Sequence, residues 1–375
     1  MFFYIFVFVF CVLAFIFSLA TKEEKIKRII AIVSLMLLCI ISGSRYNLGG
    51  TDYFVYKAIY EKIPISNFWT QISNLSTVHG IEKGYLIYSF FIKRLGVNFY
   101  GFTLIHSIIF YVLFYMILKK YDYNINFIII LFLYKMFFYN TFISLRQPLA
   151  ILTFWFSIDF LKDKKYIKYY LMCLLALFFH RSAIILFAIP LIANIKLSKK
   201  SFEIALIIGL VLFILVRIDL MNINSIVINV LNFIFENDKG AINRIELYSH
   251  STTEISIFYT IEYYLIAVLL LLNFEKLYNF DKNSKLFTNL FIGMLPLFTV
   301  FSSFSMVTRF KDYFFLCYPI LISYIARFSK KNKLLIYTIV IIICFYGYMR
   351  YIIKFDGGSL IPYSSFIFEN ISIIE

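Results

Sequence analysis

The chain has 375 residues, 62% of them hydrophobic, 21% aromatic and only 15% charged, with a formal net charge of +15. A soluble domain carries roughly 45–50% apolar and about 25% charged residues, so the composition excludes an ordinary water-soluble fold. The positive charge does not mark a nucleic-acid surface either, because the lysines cluster in short loops between long apolar runs, as membrane topology requires.

A helical span needs about 20 apolar residues. The first run, MFFYIFVFVFCVLAFIFSLA, has no basic leader and no small-residue cleavage site, so it is expected to be a retained helix over 2–20. A second span is expected at 29–43. The segment 44–97 that follows is long for a membrane connection and rich in Tyr, Asn, Ser and Thr; within it, 84–95 reads as an interfacial or re-entrant helix. Spans are then expected at 99–118, 125–142 and 146–161, and two shorter pieces, 167–179 and 182–195, meet at the polar HRS of 180–182. The remaining spans are 202–219, 256–273, 286–305, 307–326 and 334–350, with a second long segment at 220–255. The total is about twelve crossings: a polytopic all-α transmembrane protein, expected to form one integral domain over 1–375. Cys11, Cys39, Cys173, Cys317 and Cys344 all lie in apolar segments without CxxC spacing, so they read as buried thiols, not as a disulfide or zinc framework.

Six connections are short and basic: TKEEKIKR, KK at 119–120, KDKKYIK, KLSKK, EKLYNFDKNSK and RFSKKNK. They hold 20 of the 36 Lys and Arg and alternate correctly with the other connections. The positive-inside rule places all six in the cytoplasm and both termini outside. The long segments 44–97 and 220–255 then lie outside, as functional loops.

An ionised side chain at a span centre costs about 2.5–3.5 kcal/mol on the insertion scale, so charged residues near spans need a reason. Arg45 and Asp52 follow span two, with Gly49 and Gly50 between them to turn both side chains inward. Arg146 and Gln147 in SLRQPLA open span five near Pro148, a residue tolerated in a helix's first turn. His180 and Arg181 lie at the HRS break. Arg309, Asp312 and Tyr313 in TRFKDYFF fall at i, i+3 and i+4, one face of an α-helix. On this topology all fall at one depth on the outer side, where they are expected to line an outward-facing cavity. Each also has a plainer reading: a snorkelling arginine, a local Arg–Asp pair, a satisfied core histidine.

Several arginines with a few carboxylates and one histidine imply an anionic ligand, and guanidinium suits phosphate. There is no Walker loop and no GxGxxG, and no metal-ligand cluster, so neither cofactor nor metal is expected. The outer side has no nucleotide triphosphate to spend, so a substrate must arrive already activated, as a lipid-linked diphosphate does. Aromatic and Asn-rich outer segments suit sugars.

Five stretches carry a resemblance to a known family: RYNLGGTDYFVY at 45–56, EKGYLIYSFFIKRLG at 82–96, FISLRQPLA at 142–150, FHRSAIIL at 179–186 and TRFKDYFF at 308–315, followed by IPYSS at 361–365. In this order the chain resembles the EpsG family of Wzy-like polysaccharide polymerases, which serve exopolysaccharide, capsule and O-antigen synthesis. The loop 220–255 has no recognisable counterpart there. The resemblance implies an enzyme of the bacterial cytoplasmic membrane. It would transfer a growing glycan from undecaprenyl diphosphate to the terminal sugar of a lipid-linked repeat unit, on the outer face. It also implies membrane lipid, a flippase and a chain-length regulator as partners. Arg45, Arg146, Gln147, Arg181 and Arg309 are the candidates for the diphosphate, and Glu82, Tyr313 and Tyr363 for sugar. His180, Asp52 and Asp312 are the candidates for proton transfer, with Asp52 favoured as an orienter of Arg45.

A flippase or exporter of lipid-linked oligosaccharide is the main alternative. It too would want a cationic cavity, but alternating access asks for polar groups on both membrane halves, and the inner half is bland. A membrane acyltransferase should place its histidine near a cytoplasmic entrance, which His180 does not. A ligase moving finished glycan to another acceptor fits the same residues.

Overall fold

The computed structural model describes residues 1–121, 124–221, 225, 229, 255–303, 307–355 and 359–374. Most of the long connection 220–255 lies outside the described residues. Every regular element among those described is helical. Two compact units divide the chain: Met1–Ser157, Leu171–Arg181 and Lys331–Glu375 form the first, Ile158–Tyr170 and Ser182–Lys330 the second.

In the first unit, α1 (Phe2–Ala20) and α2 (Glu24–Gly43) are followed by three helices inside the segment expected as a long loop: α3 (Gly50–Lys62), α4 (Phe68–His79) and α5 (Lys83–Lys93). Next come α6 (Phe99–Leu118) and α7 (Ile125–Phe132), which widens into an eleven-residue π-helix, Leu133–Ile143. After a bend at Ser144–Arg146 come α8 (Gln147–Lys162) and α9 (Tyr166–Phe179), of which the stretch Ile158–Tyr170 belongs to the second unit. α1 shows why such helices suit lipid: Tyr4, Phe8 and Phe15 are buried, while Phe2, Phe6 and Phe17 on the other faces are exposed.

Helices α3, α4 and α5 bury a shared aromatic core, with Tyr56, Tyr60, Phe68, Tyr85 and Phe90 among its members, against Phe99 and Phe102 of α6. Tyr53, Tyr56 and Tyr60 recur at helical spacing along α3, while Asp52, Glu61 and Lys62 are exposed. Buried Lys93 donates from Nζ to the carbonyls of Tyr60 (3.1 Å) and Glu61 (2.9 Å), satisfying the end of α3.

The second unit begins its own helices with a 3₁₀ segment, Arg181–Ala188, whose first residue belongs to the first unit, and α10 (Ile189–Ala193). It continues with α11 (Lys199–Arg217), α12 (Ile257–Leu272) and α13 (Phe274–Tyr278). The span expected at 286–305 is instead α14 (Lys282–Gly293) and a short α15 (Leu295–Phe298), broken beside Pro296, which has no N–H to continue the ladder. The span expected at 307–326 likewise starts as a short α16 (Val307–Phe310) and a 3₁₀ turn, Lys311–Phe314, before α17 (Cys317–Phe328). A last helix, α18 (Lys333–Phe355), returns the chain to the first unit.

Five of these helical segments are long and apolar enough to cross a membrane: α1, α2, α6, α7 with its π extension, and α18. Shorter apolar helices include α9, residues Arg181–Ala193 and α12. The chain is a helical, membrane-embedded protein.

Candidate functional site

Two bends in the first unit carry arginines. The first follows α2. Arg45 is wholly buried, and its guanidinium donates to three backbone carbonyls: Nε to Leu48 (3.2 Å), Nη1 to Ser42 and Nη2 to Phe142 (3.2 Å). Its guanidinium carbon lies over the rings of Tyr53 and Phe142, 5.1 and 5.4 Å from their centres. The adjoining glycines do make the turn, with φ of +134° at Gly49 and +69° at Gly50. A Cβ at Gly49 would overlap the same Phe142 carbonyl that Arg45 holds. The turn sends the two charged side chains apart: Arg45 goes inward, while Asp52 in the first turn of α3 is exposed and forms no ion pair among the described residues. The expected pairing of Arg45 with Asp52 is therefore corrected, because two carbonyls left open at helix ends and one in the turn before α3 take the arginine's donors.

The second bend follows the π-helix. Arg146 donates from Nε to the Tyr56 hydroxyl (3.1 Å) and from Nη1 to Oε2 of Glu82. Among the described residues nothing accepts a hydrogen bond from its Nη2, and the side chain keeps 19% of its surface. Burial would lower the guanidinium's pKa, but Tyr56 and Glu82 hold it above its ordinary value.

Glu82 ties a third segment to the same point. Its other oxygen, Oε1, accepts the backbone N–H of Arg181 at 3.0 Å. Glu82 stands at the N-cap of α5 yet does not cap its own helix. Gly84 makes this reach possible. A Cβ there would overlap the ring and carbonyl of Phe178, so only glycine lets the start of α5 lie against the end of α9. The Arg181 side chain is exposed and unpaired among the described residues. Four stretches singled out in the sequence, around residues 56, 82, 146 and 181, thus meet at one arginine–carboxylate node.

Other expected residues fall around it. Asp52 lies four residues before Tyr56, on the same face of α3. His180 ends α9 next to Arg181 and is buried, its N–H bonded to the Ala176 carbonyl (2.9 Å). Gln147, the first residue of α8, is fully buried. Tyr363 donates to the Ile41 carbonyl (3.0 Å) and stacks on Phe3, at the Arg45 bend instead of the Arg146 node.

Arg309, Asp312 and Tyr313 belong to the second unit. The single α-helical face expected for them is interrupted, because α16 ends at Phe310 and a 3₁₀ turn begins at Lys311. Arg309 is half-buried. Asp312 accepts a bond from Lys311 Nζ (3.3 Å), and that ammonium also lies 5.1 Å from the Tyr259 ring centre. Buried Tyr313 shares a 2.9 Å hydroxyl bond with Ser182.

The pairing of Glu82 with Arg146 and the part of Tyr56 are what sequence reasoning missed. The available signal was Gly84, two residues after Glu82 in EKGY, which marks a close backbone approach.

Fold and node together define a helical membrane protein with a partly open arginine–carboxylate node at the ends of its helices. Residues 27–365 match the model of the EpsG family, a Wzy-like polysaccharide polymerase family, and the chain belongs to it. No curated relative and no solved structure matches the chain.

Proposed function

We propose that this protein polymerises glycan on the outer face of the bacterial cytoplasmic membrane, with undecaprenyl diphosphate as the leaving group. If the short and broken helices also cross, for about twelve crossings, the six basic loops fall on one side, and the positive-inside rule makes that side the cytoplasm. The observation that carries the reading is the node itself. Glu82 takes the guanidinium of Arg146, whose Nη2 edge is open among the described residues, and the backbone N–H of Arg181, whose side chain is exposed. The open guanidinium edge is what an anion would reach there. A diphosphate held there would lie at the depth of a lipid headgroup, and both arginines would stabilise the charge it gains on leaving.

In the reaction, the acceptor hydroxyl oxygen attacks the donor's anomeric carbon. The bond from that carbon to the diphosphate oxygen breaks, and the diphosphate leaves with the electron pair. The hydroxyl proton needs a base. Asp52, exposed, unpaired among the described residues and one turn from Tyr56, is the base we propose. His180 is the second candidate. Arg45 is assigned to bracing the fold, since all of its observed contacts are backbone carbonyls and ring faces.

Purified protein given lipid-linked repeat units should make a ladder of polymer. Asp52→Asn should slow it by about 10²–10⁴-fold while donor binding persists, as for a general base. Wild-type rates from Asp52→Asn with loss in His180→Ala would move the base to His180. If the protein makes no ladder and a deletion strain traps single repeat units facing the cytoplasm, the chain is a carrier instead.

A further inference from the structure

We infer that residues 359–374 are a positioning strap for α3, the helix that presents Tyr56 to Arg146. The segment is largely apolar in sequence, but of its hydrophobic residues Leu360 and Phe366 are the buried ones, while Ile367, Phe368 and Ile374 are exposed. Its hydrogen bonds fall in two groups, one at the bend that starts α3 and one at the start of α6, beside the Val97 carbonyl that accepts from Tyr60 of α3.

At the start of α3, the strap pairs with the Arg45 bend. Tyr46 N–H donates to the Ser364 carbonyl (2.9 Å), and Phe366 N–H donates to the Ser44 carbonyl (2.9 Å), so Arg45 and Ser365 face each other in a short antiparallel bridge. Gly49, the N-cap of α3, donates its N–H to the Ser359 carbonyl (2.8 Å). The Ser365 hydroxyl donates to that of Ser44 (3.0 Å), and the Leu360 carbonyl accepts from Tyr4 of α1 (2.8 Å).

The strap then runs to the other end. Asn98, the N-cap of α6, donates its N–H to the Ile373 carbonyl (3.1 Å) and its Nδ2 to the Ser372 carbonyl (2.7 Å). Gly101 leaves room for this approach, since a Cβ there would lie 2.7 Å from the Ile373 oxygen. The neighbouring Val97 carbonyl accepts the hydroxyl of Tyr60, near the end of α3, at 2.9 Å. One short segment thus fixes both the launch and the landing of a helix about 20 Å long, with Tyr56 between them. The phenol that receives Arg146 Nε is set in place by residues some 300 positions further along the chain.

The test is hydrogen exchange on purified full-length protein and on a version stopped after Phe355. Amides of α3 should exchange at least about tenfold faster without the strap, a local opening of the kind native-state exchange resolves, while those of α1 and α2 stay protected. A synthetic peptide of residues 359–374 added to the shortened protein should restore the α3 protection. Asn98→Ala, which removes only the Nδ2 anchor and the α6 side-chain cap, should raise exchange at 59–62 more than at 50–53. Unchanged α3 exchange would overturn the inference. So would equal loosening of α1, α2 and α3, which would make the segment a general support of the fold. Because the readout lies in α3 itself, the result is independent of whether the chain polymerises glycan.

Discussion

Arg45 and Arg146 each sit where a membrane helix gives way to a bend, but their donors go to different kinds of partner. Arg45 is wholly buried and gives its hydrogen bonds to the carbonyls of Ser42, Leu48 and Phe142. The Ser42 and Phe142 carbonyls stand at the ends of α2 and the π-helix, where intrahelical partners run out, and the Leu48 carbonyl lies in the turn before α3. Arg146 gives its bonds to a carboxylate and a phenol, and its Nη2 edge meets no partner among the described residues. The first arginine closes two helix ends; the second keeps one donor edge open among the described residues. An arginine near a span end is therefore read from where its donors go, not from its charge.

The comparison breaks most sharply at Arg146. Arg146→Ala should cut the polymerisation rate by about 10²–10³-fold, the range seen when one preorganised donor to a developing anion is removed. Arg146→Lys should recover little, because a point charge does not reproduce a planar fork. Protein recovered from membranes should stay near normal. A ladder of wild-type length from Arg146→Lys would make Arg146 a second brace like Arg45.

Arg45→Ala should fail in the opposite manner. It strands three carbonyls in a dry site, at about 1–3 kcal/mol for each that finds no other partner. The yield of folded protein should drop several-fold, while activity per folded molecule stays within about twofold. If folded Arg45→Ala is abundant but inactive, the guanidinium has a direct role in the reaction.

Next in size is Gly84→Ala. The added methyl meets the backbone of Phe178, which cannot swing aside as a side chain would. α5 must shift away from α9, and Glu82 then loses the Arg181 N–H. We expect roughly tenfold lower activity with modest loss of yield. Crosslinking between cysteines placed at Lys83 and Phe179 should weaken in parallel; unchanged crosslinking with full activity would show that the close approach is not needed.

Much of the fold was legible because long apolar runs leave a helix little alternative in lipid. α1, α2, α6 and α18 fall close to where hydropathy puts them. The errors lie where hydropathy is silent. Pro296 and Pro319 were visible, yet the runs around them read as continuous spans, and the structure breaks the chain at or near both. The segment 44–97 read as loop because α3 and α4 are too polar for spans, although Tyr53, Tyr56 and Tyr60 carry a helical period. At the site, Arg146 and Arg181 stood out as costly cations. Their meeting through Glu82 did not, since a partner 64 residues away leaves no local trace beyond Gly84, which marks a close approach without saying to what. The Gly49–Gly50 turn was legible too, but not which way it would aim Asp52.

The smallest effect separates the two arginines most finely. Tyr56 gives Arg146 Nε an oxygen; Tyr53 gives Arg45 a ring face. Removing each hydroxyl should therefore have unequal consequences. Tyr56→Phe deletes one charge-assisted bond while Glu82 keeps Arg146 in place, so the loss should be about 1 kcal/mol, or roughly threefold to tenfold in rate. Tyr53→Phe leaves the ring beneath Arg45 and should change activity by less than about twofold. Both proteins should accumulate normally, since neither change opens a cavity. Initial rates of polymer formation by the two purified variants measure the difference. Equal losses would mean that the phenol at 56 does not aim Arg146, and that the node is held by Glu82 alone.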